Sequence, residues 1–434
     1  MRFESTLAYA QQRDASDPLR EFRAHFALPC DAHGRPLVYL CGHSLGPLPL
    51  AARALVNEEL DDWAHLAVRA HEAARRPWLD YHEHLSAGLQ HLTGAHPGEV
   101  VAMNSLTINL HLMLASFYRP AATRTRILIE AGAFPSDRHA VVSQLAWHGL
   151  DPHAELLELS PPSGELVDEA AIERAIEEQG ARLALVLWPG VQYRTGQSFD
   201  IARVTAAAHR AGSAAGFDLA HSIGNLPLAL HASDADFAVW CSYKYLNAGP
   251  GAIAGCFVHE RHAVERTRPR LAGWWGHEPV TRFAMRPEFR ASPGARGWQV
   301  SNPPILSSAP LIASLEIFRA AGIERLREKS IALTGFLEHL LEPLPVAIVS
   351  PRVREARGCQ LSLRLLGTQL SARDIHRRLE ASGVICDWRE PDVLRVAPAP
   401  LYNCFTDVFR FAEVLADLLA PPGGGNATRP TGRP

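Results

Sequence analysis

Phe217-Asp218-Leu219-Ala220-His221, followed after an apolar run by Cys241-Ser242-Tyr243-Lys244-Tyr245-Leu246-Asn247, is the stretch whose reading decides the fold. Lys244 is its centre. The chain has only two lysines, Lys244 and Lys329, so of 43 basic residues 41 are arginine, and arginine supplies the plain cations. What lysine adds is a primary amine that gives up its proton when desolvated and then attacks a carbonyl. Asp236-Phe-Ala-Val-Trp-Cys-Ser242 before it reads as a buried strand, and Asn247-Ala-Gly-Pro-Gly251 after it as a turn into a second apolar run, 252–258. Asp218 ends another short run, 214–217. A lysine after a strand is commonly just a solvated surface residue. Here its rarity, the flanking aromatics and glycines, and the upstream Asp218-x-x-His221 favour chemistry. A Schiff-base lysine with an aspartate that keeps a pyridine nitrogen protonated is the protein's half of pyridoxal-phosphate chemistry.

Working outward, 126–130 and 183–188 read as further strands, each followed by a loop and a helical pattern. Strand, loop and helix repeated in this way predict an α/β fold with a mostly parallel sheet, and ligands in such sheets bind beyond the carboxyl ends of the strands. Phe134, Asp218 and Lys244 all follow strands, so one sheet edge can gather them. The run 108–114 reads as a buried helix capped by Ser105 or Thr107, with an N-terminus able to cradle a phosphate. Ser136 or Asp137 is expected to cap the next helix, through Trp147.

With 434 residues, 47% hydrophobic and 21% charged, the chain is long enough for a large and a smaller domain. A net charge of −3 gives no reason to expect nucleic acid or an acidic membrane as partner. Seven scattered cysteines lack metal-ligand or disulfide spacing, and no apolar run is long enough to span a bilayer, so a cytoplasmic protein is expected. The expected division is an arm over 1–50, a large domain over 51–305, a small α+β domain over 306–420 and a disordered Pro/Gly-rich tail over 421–434. An amphipathic helix is expected over 51–71, with Arg75-Arg76 as its solvated end, and one long helical pattern over 309–341. The irregular stretch through Trp274-Trp275 to Asn302 is too long for a connector and suits a lid or a subunit contact.

Cys241-Ser-Tyr-Lys-Tyr-Leu-Asn-Ala-Gly249, Phe217-Asp-Leu-Ala-His-Ser-Ile-Gly-Asn225, Ala133-Phe-Pro-Ser-Asp137, Gly273-Trp-Trp-Gly-His277, Ser301-Asn-Pro-Pro304 and Arg395-Val-Ala-Pro-Ala-Pro-Leu-Tyr-Asn403 resemble the kynureninase family, in order from about Tyr39 to the last helix. The resemblance implies a fold-type-I pyridoxal-phosphate homodimer with shared active sites and a seven-stranded, mostly parallel sheet in its large domain. Its reaction is hydrolysis of L-kynurenine or 3-hydroxy-L-kynurenine to alanine and anthranilate or 3-hydroxyanthranilate, in tryptophan degradation. It also implies that Lys244 carries the cofactor, Asp218 pairs with the pyridinium nitrogen and Phe134 stacks on the ring. Leu106, Thr107 and Tyr243 lie near the phosphate, with Asp137 and His221 completing the pocket. Tyr243 is the candidate for proton transfer. Trp274 and Asn302 reach the cofactor from the neighbouring subunit, while Arg395 clamps the substrate carboxylate with Ser44, His71 and Asn302 nearby. His71 and Asn302 resemble the pair found in members that favour the 3-hydroxylated substrate.

Two departures stand out: Pro189 where some members carry a serine, and His43 where Gly-Asn-Ser-Leu-Gly is the more familiar pattern. The same fold and lysine also serve aminotransferases and cysteine desulfurases, although no loop offers an obvious catalytic cysteine. From a different class, a cofactor-binding regulator without activity remains open. It lacks any DNA-binding module or basic stripe.

Overall fold

The computed structural model describes residues 3–161, 164–263, 265, 267–368 and 370–420. The proposed tail, 421–434, lies outside them. Runs such as 127–129, 183–188 and 237–240 are apolar at every position, which suits strands covered on both faces. They form a sheet of β1 (Val100–Ala102), β2 (Arg126–Glu130), β3 (Leu156–Leu159), β4 (Leu183–Pro189), β5 (Ala214–Asp218), β6 (Phe237–Trp240) and β7 (Gly255–Val258). The order is β1-β7-β6-β5-β4-β2-β3. Every pairing from β6 to β3 is parallel, and only β7 runs against its neighbours β6 and β1.

Alternate side chains feed two separate cores, as the pleat requires. Ile127, Ile129, Leu185, Leu187 and Val239 enter one, and Leu128, Val186, Trp188, Ala238 and Trp240 the other. Three longer helices precede the sheet: α1 (Leu7–Ala15), α2 (Leu50–Leu66) and α3 (Glu83–Thr93). Between its strands come α4 (Leu106–Phe117), α5 (Pro135–Trp147), α6 (Glu169–Gln179) and α7 (Ile201–Arg210), and after them α8 (Ile305–Ala321), α9 (Ile323–Leu341), α10 (Ala372–Ala381) and α11 (Phe405–Leu419). Helices α4 and α5 cover one face of the sheet, while α3, α6, α7 and α8 contribute to the core on the other.

The C-terminal part adds an antiparallel sheet of β8 (Val346–Ile348), β9 (Leu361–Leu365), β10 (Asp387–Arg389) and β11 (Val393–Val396), in the order β8-β9-β11-β10. Its core takes side chains from α9, α10 and α11, together with Ala10, Val38 and Leu40 from the N-terminal arm.

The pattern over 309–341 is two helices rather than one. The chain breaks at Gly322, whose φ of 78° no L-residue adopts without strain, and the helices meet at 79°. Leu311, Leu315 and Phe318 of α8 pack into the core beneath the large sheet. Arg75 is solvated as expected, but Arg76 is largely covered, and both arginines are ion-paired. Arg75 bonds Asp62 at 2.8 Å, and Arg76 bonds Glu58 at 2.7 Å and the fully buried Glu59 at 2.6 Å; Glu59 also accepts from Trp78 and Tyr81. Among the described residues no single helix is long and apolar enough to cross a membrane.

Candidate active site

The carboxyl edge of the large sheet gathers the chemistry. Phe134 and Asp137 follow β2, Pro189 ends β4, Asp218 ends β5 and Lys244 follows β6. They line one cleft of about 700 Å³, its open mouth included, together with Leu106, Thr107, His221 and Tyr243. The turn carrying Lys244 is held by the loop at 41–47: Gly46 N–H donates to the Tyr243 carbonyl at 2.8 Å. A Cβ on Gly46 would fall 2.5 Å from the Lys244 carbonyl oxygen, so only glycine lets the two segments meet. Ser44 sits on that loop but does not line the cleft.

Lys244 Nζ lies 3.0 Å from His221 Nε2 and 5.6 Å from the centre of the Phe134 ring. Burial, and then the charge of Lys244, push the His221 imidazole well down, so it is neutral and accepts from the lysine. Asp137 and Asp218 are both raised by burial. At Asp137 the charge of Asp218 adds to the effect, whereas at Asp218 Lys244 and the Ala220 N–H, 2.7 Å away, oppose it. Asp137 is therefore the member that keeps a proton and Asp218 the one that ionises. Burial lifts Glu130, at the end of β2, to about 8. Burial and Cys241 push the Tyr243 phenol up, leaving it protonated and able to donate.

At the cleft's other end the N-termini of α4 and α5 converge, and Thr107 Oγ1 lies 2.6 Å from Ser136 Oγ. The capping expected from Ser105, Thr107, Ser136 or Asp137 does not occur: neither helix has a side-chain N-cap bond. Side-chain caps are present at α1, α6, α7 and α10, from Thr6, Asp168, Asp200 and Ser371, and absent at α2, α3, α8 and α9 as well as at α4 and α5, so it is the convergence of α4 and α5 at the cleft that sets those two apart. Two helix N-termini that converge in this way suit an anion.

These residues fit pyridoxal phosphate. The open termini suit its phosphate, Asp218 suits its ring nitrogen, and Lys244 suits its carbonyl. The buried Asp137 Oδ1, Glu130 Oε2 and His221 Nδ1 have no partner within the protein, as expected where a polar ligand completes the site.

Arg395 does not line this cleft but lies beside it. It is 1% exposed, donates through Nη1 to the Tyr193 carbonyl at 2.6 Å and pairs with Asp387. The Tyr193 ring stands edge-on to Phe134 at 5.3 Å, linking the two regions. Trp274, Asn302 and His71 come together elsewhere, in an open groove of about 1120 Å³ that also includes Val68, Trp275 and Phe283. Within one chain they do not reach Lys244.

Sequence reasoning missed Glu130, Ser136, Tyr193 and Asp387. A carboxylate closing the apolar strand Arg126–Glu130 was a signal for the first. Ser136 was read as a cap, and the other two needed the fold.

The family model for the kynureninase C-terminal domain matches residues 326–415. Proteins named kynureninase from Xanthomonas euvesicatoria pv. vesicatoria (strain 85-10) and Xanthomonas oryzae pv. oryzae (strain PXO99A) are each 57% identical, over 412 and 410 residues, covering 94% and 93% of this chain and 96% of each relative. Among solved structures, a C-DES variant with glycine covalently linked to its PLP cofactor superposes with a TM-score of 0.75 at 18% identity, covering 87% of this chain and 96% of that one. The Escherichia coli cysteine desulfurase CsdA gives a TM-score of 0.76 at 18% identity, covering 93% of this chain and 99% of that one. At such identities the structures speak for the architecture alone, which is the fold-type-I one. Identity of 57% along nearly the whole of both chains separates the families that share this architecture, and this chain belongs to the kynureninase family.

Proposed function

We propose that the protein hydrolyses the β–γ bond of L-kynurenine or its 3-hydroxy form, and that Lys244, Asp218, Tyr243 and Arg395 carry the reaction. The observation that supports this most is Lys244, an amine beside a neutral histidine and an aromatic ring, in a cleft with buried acids and two uncapped helix termini.

Pyridoxal phosphate, when bound, supplies a carbonyl for covalent attachment and a pyridinium that withdraws electrons from the substrate. Lys244, Leu106, Thr107, Phe134, Asp137, Asp218, His221 and Tyr243 would hold it. Asp218, ionised, would keep the ring nitrogen protonated. With substrate bound, the Lys244 amine would take the α-proton, and His221 Nε2, 3.0 Å from it, would steady that amine. Arg395 grips the α-carboxylate. Water then supplies OH to the aryl carbonyl carbon and H to the β-carbon, giving an aromatic acid and alanine. Tyr243, protonated and at the cleft wall, is the donor in this later stage.

The second groove supports a homodimer. Trp274, Phe283 and Val68 are exposed apolar side chains grouped with Asn302 and His71, a surface suited to completing the cleft of a second copy. Co-expressed Lys244→Ala and Asn302→Ala chains should then show activity that neither variant has alone. We place the enzyme in the cytoplasm and in tryptophan degradation, and read His71 with Asn302 as favouring 3-hydroxy-L-kynurenine.

The test is to incubate the cofactor-loaded protein with each substrate and measure alanine and aromatic amine. Equimolar products from at least one substrate are expected, faster from the hydroxylated one. No product from either would refute the reading, and alanine released instead from cysteine would favour a desulfurase.

A further inference from the structure

Arg395 is the side chain assigned to the substrate carboxylate, and its surroundings carry a second layer of design. It is 1% exposed, so an empty site must hold a buried cation. Two groups hold it. The Tyr193 carbonyl takes Nη1 at 2.6 Å, and Asp387 on β10 takes Nη2. Nε, on the edge that Nη2 shares, is buried without a partner. Asp387 is also shared: Arg389 Nη2 reaches its Oδ2 at 3.1 Å from a half-exposed position on the same strand. His43 Nε2 lies 3.4 Å from the same oxygen, and its fully buried ring faces His221 at 6.4 Å. Burial, with help from Arg395, pushes His43 down to about 3, so it adds no charge.

We propose that Asp387 is a positioning residue for substrate recognition, bridging Arg395 and Arg389 so that the cluster carries one net positive charge and Arg395 offers its unpartnered Nε edge to a single carboxylate. This rests on the reading of Arg395 as the carboxylate clamp. Two guanidiniums and one carboxylate leave one charge to be neutralised, which matches the α-carboxylate of an amino acid. A lone Arg395–Asp387 pair would already be neutral and would compete with the substrate. Fixing the guanidinium plane matters because a displacement of about 1 Å at a binding group can cost on the order of 100-fold in rate.

The experiment compares holoenzyme variants Asp387→Asn, Asp387→Ala and Arg395→Gln, measuring kcat and KM for L-kynurenine and the inhibition constant of the corresponding amine, which lacks the carboxylate. Asp387→Ala should raise KM about 10- to 100-fold and leave kcat within about threefold. Asp387→Asn, which keeps an oxygen for Nη2, should fall between it and wild type. The amine's inhibition constant should stay within about twofold in both, which a merely structural role would not allow. A lower KM in Asp387→Ala would show competition and overturn the inference, as would equal weakening of substrate and amine. If Arg395→Gln loses discrimination between substrate and amine while the Asp387 variants do not, this inference alone fails. If Arg395→Gln keeps that discrimination, the clamp reading fails and takes the inference with it.

Discussion

The two lysines of this chain use one side chain for opposite ends. Lys329 on α9 is 8% exposed and pairs with Asp17 at 2.7 Å, and the other Asp17 oxygen accepts from the Leu19 N–H at 2.9 Å. It ties the N-terminal arm to a helix and has nothing left to offer. Lys244 makes no ion pair among the described residues; it meets a neutral histidine and the face of a phenylalanine. Around it, the unpartnered Asp137 Oδ1, Glu130 Oε2 and His221 Nδ1 all belong to residues lining one cleft, where the N-termini of α4 and α5 converge. Burial alone thus does not mark a reactive lysine. The absence of a carboxylate within ion-pair distance, in a cleft lined by buried titratable groups, does.

Lys244→Ala should break the comparison most severely. Activity with either kynurenine should fall about 10,000-fold or more, with thermal stability of the cofactor-free protein little changed. Lys329→Met should do the reverse: stability falls by about 3–5 kcal/mol because Asp17 is left buried and unpaired, while activity per folded molecule persists. Removing both charges in Asp17→Asn with Lys329→Met should recover most of that loss, to within about 1 kcal/mol of wild type. Urea unfolding and initial rates on the same samples separate the two classes.

A pH series sharpens the contrast further. Glu130 in the Lys244 cleft is raised by burial from 4.5 to about 8, so it binds its proton more tightly folded than unfolded. The sign is the reverse of a salt-bridged carboxylate: the cofactor-free protein should lose stability as pH climbs from the ordinary carboxyl value toward 8, on the order of a few kcal/mol. Glu130→Gln should flatten that slope. Unfolding midpoints that fall equally steeply in the variant would contradict it.

Much of the site was legible in the sequence because strand ends deliver it. Lysine rarity drew attention to Lys244, and apolar runs ending just before Asp218 and Phe134 put them on the same edge. What was not legible came from contacts between distant segments. Nothing local tells that α4 and α5 leave their termini open toward each other, since Ser105 and Ser136 are ordinary cap residues by sequence. Asp387 lies on a separate strand from Arg395, and only the register of β10 against β11, with Asp387 opposite Arg395, brings them together. The break at Gly322 was present in the sequence, but a helical pattern on both sides hid it. Trp274, Asn302 and His71 gather in a groove that shares no lining residue with the Lys244 cleft, which no spacing in the sequence announces.

Having only two lysines makes the central claim a two-way question. Borohydride reduction of the pyridoxal-phosphate-loaded protein, then digestion and mass spectrometry, would locate the trapped pyridoxyl group. The account predicts it on the peptide containing Lys244 and none on that containing Lys329. A label on Lys329, or on neither, would contradict it.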